Sequence, residues 1–229
     1  MQAIHPSARC YSLPLMLRTY DFWVLYVTNN WIWRCRTRSV LLPLYQKHIG
    51  ENAHLDVGVG TGYLPANAMA RLAKTKNVTL LDLNPDTLRT SEARIRGAGY
   101  TGTIEKVNQS VFDPLPVALH GTFDSISTFY MLHCLPGSFP EKASNVFANL
   151  KAGLAPGGVL YGSTVLAKGV HHNWAGRFLT WLYNRMGTFG NLGDGLEDLE
   201  KALREHFEEV DVSSVGVVAL FVARKPIAK

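Results

Sequence analysis

The chain has 229 residues, 47% of them hydrophobic and 18% charged, enough to close one substantial core but cramped for two independent domains. Its net charge is +5, and although lysines and arginines occur along the whole chain, no basic run interleaves with aromatics, which disfavours a nucleic-acid groove. Three cysteines, Cys10, Cys35 and Cys134, form no CxxC pair, so they support neither a disulfide framework nor a thiolate metal site, and they suit a reducing, cytoplasmic setting.

Residues 1 to 52 read as a mostly helical N-terminal cap. Its first 50 residues hold Arg9, Arg18, Arg34, Arg36, Arg38 and Lys47 against the single acid Asp21, a field that can draw in an anionic small molecule. The apolar stretch FWVLYVTNNWIW is only 12 residues long and carries Asn29 and Asn30, so it cannot span a bilayer. No secretory apolar segment precedes it.

From residue 53 to 229 short β-branched runs alternate with helical stretches, the pattern of a sheet covered by helices on both faces. Strands are predicted at 54–58, 78–82, 103–107, 123–129, 158–164, 208–214 and 216–224. Between them, Pro65 falls in the first turn of a helix after a glycine loop. Asn84, Pro85 and Asp86 offer an N-cap, a first helical position and a charge suited to the helix dipole. The last two strands are too close in sequence for a parallel crossover and should form a hairpin. The predicted fold is therefore α/β, a Rossmann-like doubly wound sheet of seven strands with one antiparallel member. An insertion at about 166–195 interrupts it. There Trp174, Phe178, Trp181 and Leu182 recur at helical spacing, predicting a lid helix whose apolar face lies over the sheet edge, or else fills core or a contact in a homodimer.

The stretch HLDVGVGTGYLPAN places Gly58, Gly60 and Gly62 after the first strand, where an open α/β sheet binds ligands. Glycines there let a ligand rest against bare backbone. A dinucleotide fingerprint would need a third glycine where Tyr63 stands, and Asp56 would oppose a pyrophosphate. A carboxylate suits a cationic ammonium instead. Twenty residues after Gly62 comes Asp82, at the end of the second strand, where a carboxylate can accept both ribose hydroxyls. A nucleoside carrying an amino-acid tail describes S-adenosylmethionine.

The motifs LDVGVGTG, LLDLNPDTL, FDSISTFYMLHCL and LAPGGVLYGSTV resemble the first, second, fourth and fifth-strand motifs of class I S-adenosylmethionine-dependent methyltransferases. The segment YDFWVLYVTNNWIWRCRTR is similar to the start of a group of small bacterial and fungal members. The resemblance implies strand order 3-2-1-4-5-7-6. It also implies that Asp56 and the glycines hold the methionine tail, that Asp82 and Leu83 cradle ribose and adenine, and that Ser110 and Val111 meet the adenine. Ser110 stands where many members show an acid. Phe129 is implied to border the sulfonium, and Asp113, before a proline, reads as a turn residue.

For the chemistry, His133 in MLHCL is the candidate base, and His171 and His172 open the lid. Tyr130 and Cys134 read as core. No metal-ligand set is apparent. Rings of the cap, Tyr20, Tyr26, Trp31 and Trp33, facing Trp174 and Trp181 of the lid, would line a dry acceptor pocket, with Tyr130 and His171 beside it. The expected function is methylation of a small molecule at a carboxylate or phenolic oxygen in secondary metabolism, with S-adenosylhomocysteine as product. N- or C-methylation, a non-catalytic regulator and an NAD-dependent reductase are the alternatives.

Overall fold

The computed structural model describes residues 22–228, with side chains from Leu25 onward. The expectations for Tyr20, Cys10, Arg9, Arg18 and Asp21 lie outside the described residues. A wide π-type helix, Phe22–Ile32, and a shorter π-type turn, Thr37–Leu41, lead into α1, Leu42–His48.

Seven strands follow in one sheet of order β3-β2-β1-β4-β5-β7-β6: β1 Ala53–Val57, β2 Asn77–Asp82, β3 Thr103–Asn108, β4 Phe123–Phe129, β5 Leu154–Val165, β6 Phe207–Val215 and β7 Val218–Pro226. Strands β1 to β5 pair in parallel, whereas β7 runs antiparallel to both β5 and β6. The two-residue connection between β6 and β7 permits only the hairpin. Strand β5 begins four residues earlier than the alternation suggests. Leu154 already pairs with Phe123, and the APGG stretch then bulges out before Val159 meets Ser125.

The helices between the strands are α2 Tyr63–Asn67, which continues past a break at Ala68 as Met69–Leu72, then α3 Pro85–Gly97, α4 Glu141–Lys151, α5 Trp174–Arg185 and α6 Leu196–Arg204. Helix α3 starts where its caps dictate: Asn84 Oδ1 accepts from the Asp86 N–H at 2.9 Å, Pro85 occupies the first turn, and Arg94 and Arg96 sit in the last.

Two apolar clusters fill the faces of the sheet. One gathers Leu55, Val57, Ile126, Phe147, Leu203 and Phe221; the other joins Trp33, Tyr45, Leu80, Ile95 and Tyr161. The second cluster ties the N-terminal segment to the sheet, and Trp33 O accepts from the Val217 N–H in the β6–β7 turn at 3.0 Å.

The segment between β5 and α6 departs from expectation. Helix α5 buries Gly176 and Thr180 and packs Leu179 and Tyr183 against the second cluster, while Trp174, Phe178 and Trp181 face outward, 83%, 54% and 54% exposed. The aromatic stripe therefore does not cover the sheet edge. The segment is anchored by a sealed ion pair, Lys142 Nζ to Asp194 Oδ2 at 2.7 Å. Lys142 also donates to Gly190 O at 2.6 Å.

Candidate active site

At the carboxyl ends of β1, β2 and β4 lies a crevice of about 270 Å³. Its floor is the glycine loop. Gly60 adopts φ +57°, and no protein atom stands within 4 Å of where its Cβ would be, so bare backbone faces open space. Gly62, at φ +68°, would drive a Cβ to 2.9 Å from Ser91 Cα, so only glycine lets α3 pack this closely on the loop.

Asp82, half-buried, lines the crevice with Leu83 beside it. Its Oδ1 accepts from the Asn84 N–H at 2.8 Å. Burial lifts its carboxyl to about 6, opposed by the N–H groups of Asn84, Gly60 and Leu83. Ser110 and Val111 form the opposite wall together with Gln109, and Tyr130, Met131 and Cys134 close the end beyond β4. Asp113 is exposed, and its N–H donates to Ser110 O at 3.0 Å, a turn bond.

Asp56 is not part of this wall. Its carboxylate is 4% exposed and accepts from two hydroxyls, Tyr45 of α1 at 2.9 Å on Oδ2 and Ser127 of β4 at 2.9 Å on Oδ1. His54 sits behind them. The Gly50 N–H donates to Ser125 Oγ at 2.8 Å, and Ser125 Oγ lies 2.7 Å from His54 Nδ1. His54 Nε2 lies 3.1 Å from Tyr45 Oη and 3.2 Å from Ser127 Oγ. One assignment satisfies every group: Ser125 donates to Nδ1, Nε2–H donates to the two hydroxyls, and both hydroxyls donate to Asp56. Burial holds His54 neutral, with its pKa down to about 4, and lifts Asp56 to about 6 despite its two donors. Asp56 thus braces the strand beneath the loop.

Several other expected residues stand elsewhere. Phe129 packs edge-on against Tyr45 and Tyr161, at centroid distances of 5.4 and 5.8 Å, and is replaced at the crevice by Tyr130. That residue turns left-handed at φ +57°, an uncommon conformation for an aromatic. Its hydroxyl is buried near Cys35, and burial, with Cys35 adding to it, pushes its pKa well above the ordinary 10. Cys134, expected in the core, is half-buried and lines the crevice.

His133 is buried, its ring edge-on to Phe189 at 4.4 Å, and its Nδ1 accepts from the Val165 N–H at 3.3 Å. Burial, with Lys142 adding to it, lowers its pKa to about 3, which makes it a poor base at neutral pH. Trp33 is a core residue, 2% exposed. His171 is exposed and supplies only its carbonyl, to the Arg34 guanidinium. Trp174 points to solvent. These three do not assemble a pocket.

A second cavity, of about 590 Å³, opens instead within the N-terminal segment, between Tyr26, Trp31, Arg36, Arg38 and Tyr63. Tyr63 directly follows the glycine loop, and the Arg94 guanidinium covers its ring at 5.2 Å. The arginines belong to the basic cap noted above, but the part played by Tyr63 has no local signature. Among the described residues no His, Cys, Asp and Glu group could hold a metal ion.

A model of the family described as "Methyltransferase domain" matches residues 55–160. The chain is 44% identical, over 96% of its length and 97% of the relative's, to Methyltransferase aurB of Calcarisporium arbuscula. The chain belongs to the class I S-adenosylmethionine-dependent methyltransferases. This methyltransferase is also 41% identical, over 99% of both chains, to the Physcion biosynthesis cluster O-methyltransferase of Aspergillus chevalieri. Its fold matches the DhpI–SAH complex with a TM-score of 0.64 at 17% identity, covering 96% of this chain and 95% of that one. PigF with SAH matches with a TM-score of 0.64 at 19% identity, over 98% of this chain and 63% of that one.

The methyl donor is S-adenosylmethionine, and the crevice of this methyltransferase fits it. Bare backbone at Gly60 admits close approach, the half-buried Asp82 carboxylate keeps acceptor capacity beside its bond to Asn84, and apolar Leu83 and Val111 can flank a base.

Proposed function

We propose that this methyltransferase O-methylates a small, flat, anionic acceptor, a carboxylate or ionised phenol, in secondary metabolism. The carrying observation is the second cavity: three rings and two arginines, Arg36 and Arg38, for which no carboxylate partner is found among the described residues. Rings provide apolar contact for a flat body, and guanidinium groups read an oxyanion. The O-methyltransferase relative, alike over nearly its whole length, supports oxygen as the acceptor atom. Asp82 is assigned to the ribose hydroxyls, Leu83, Ser110 and Val111 to the adenine, and the glycine loop braced by Asp56 to the methionine end.

When bound, the donor would supply a methyl carbon on a sulfonium, to which an acceptor oxygen's lone pair bonds in line as the carbon–sulfur bond breaks and the sulfur leaves as a neutral thioether. The protein's part is placement: the arginines orient the oxyanion, and the rings give its flat body apolar contact. An ionised acceptor has no proton to lose, so no general base is required. The neutral, packed state of His133 is consistent with that. The N-terminal segment is the acceptor cap in this reading. Cys35 and Cys134, which share no disulfide, support a reducing compartment such as the cytoplasm.

The test is a labelled-methyl assay across carboxylic acids, phenols and amines, followed by Arg36→Gln and Arg38→Gln on the best acceptor. Each substitution should raise KM about tenfold, the weight of one charge-assisted contact, and flatten its salt dependence while leaving donor affinity unchanged. Preference for amines, or a KM indifferent to both changes, would refute the proposal.

A further inference from the structure

The outward face of α5 carries three large exposed rings. Trp174, Phe178 and Trp181 stand at i, i+4 and i+7, one stripe of the helix. Met186 and Leu192 extend it, 56% and 66% exposed. Trp31, 75% exposed, joins at the amino end, where Asn173 Nδ2 donates to Trp31 O at 2.9 Å. Exposed Arg177 and Arg185 lie along the same stripe, and the Arg185 guanidinium sits 6.0 Å from the Trp181 ring centroid. Contiguous exposed rings of this kind mark an interaction surface.

Charge selects the partner. From Leu166 to Gly193 the sequence contains no Asp or Glu, and the next acid, Asp194, is sealed against Lys142. Two copies meeting face to face would bring arginines onto arginines with no acid between them, which disfavours a homodimer through this face. The first 21 residues carry Arg9 and Arg18 against one acid, Asp21, and offer no complementary charge either. An amphipathic helix with Trp and Phe at its crest and Arg on its flanks matches the interface of an anionic bilayer, rings at headgroup depth and guanidiniums on phosphate. The helix is 12 residues long, and no helix of the described residues is long and apolar enough to cross a membrane, so it would lie on the surface.

We propose that the α5 face docks this enzyme peripherally on anionic phospholipid membranes. Trp31 belongs both to this surface and to the wall of the acceptor cavity, which sets the cavity at the margin of the docked face.

Flotation of the full chain with vesicles tests this, using phosphatidylcholine alone and mixed with phosphatidylserine, with tryptophan fluorescence in parallel. The expected result is binding to the mixed vesicles with a blue-shifted emission. Arg177→Gln with Arg185→Gln should weaken it about 25-fold, roughly a factor of five for each arginine. Trp174→Ser with Trp181→Ser should abolish flotation while calorimetric affinity for S-adenosylhomocysteine stays unchanged, which shows the variant folded. Absence of wild-type flotation, equal flotation of the ring variant, or a wild-type dimer in sedimentation velocity that the ring variant dissolves would each overturn the proposal. The last outcome would make a second copy the occupant.

Discussion

Replacing Tyr45 with Phe removes one oxygen from a fully buried site. The hydroxyl donates to Asp56 Oδ2 at 2.9 Å, and the residue is fully buried. A hydrogen bond to an ionised group contributes about 2 kcal/mol, and one between neutral groups about 1 kcal/mol. Which value applies depends on pH. Burial raises the Asp56 carboxyl from 3.8 to about 6, so the folded protein holds this proton more tightly than the unfolded chain. Its stabilisation is present below pH 3.8 and lost as pH rises to about 6. At pH 5 the carboxyl is mostly protonated and the substitution breaks a neutral bond; at pH 8 it strips a donor from a buried anion. For a chain of this length each kcal/mol moves Tm by about 2–4 °C, which gives Tm deficits of about 3 °C at pH 5 and about 6 °C at pH 8. Paired thermal melts of wild type and variant at the two pH values cancel the contributions of all other titrating groups. A deficit equal at both would refute the reasoning, because Tyr45 would then be acting only through packing.

Asp82→Asn should weaken S-adenosylhomocysteine binding by about 10- to 100-fold, the value of one or two charge-assisted bonds, as read by calorimetry; a change under about threefold would remove Asp82 from the ribose site. Lys142→Met leaves Asp194 buried without its cation, a loss of about 3–5 kcal/mol, so Tm should fall by about 10 °C. Adding Asp194→Leu should restore most of it, and a double variant no more stable than the single one would contradict the assignment. His133→Gln should leave the shape of the pH–rate profile unchanged, because the ring is neutral and packed; loss of a basic limb would reinstate it as the base.

Much of the fold follows from local pattern alone. β-branched runs, the Asn84-Pro85 start of α3, the spacing of glycines after β1 and the short step between β6 and β7 are governed by φ/ψ limits, capping and hairpin closure, all of which act over a few residues. Asp82 was legible for the same reason, since the end of β2 lies in the crevice whatever else packs around the sheet. What Asp56 does was not legible. Its donors come from 11 residues before and 71 residues after it in the chain, and only the stacking of α1 and β4 around β1 turns a candidate ligand group into a brace. Periodicity likewise shows that Trp174, Phe178 and Trp181 share one side of a helix, but a helix carries no internal reference for inside and outside. That orientation was decided by whichever face fitted the second core cluster, and the smaller Gly176 and Thr180, with Leu179 and Tyr183, let α5 pack closely there, leaving the large rings in water.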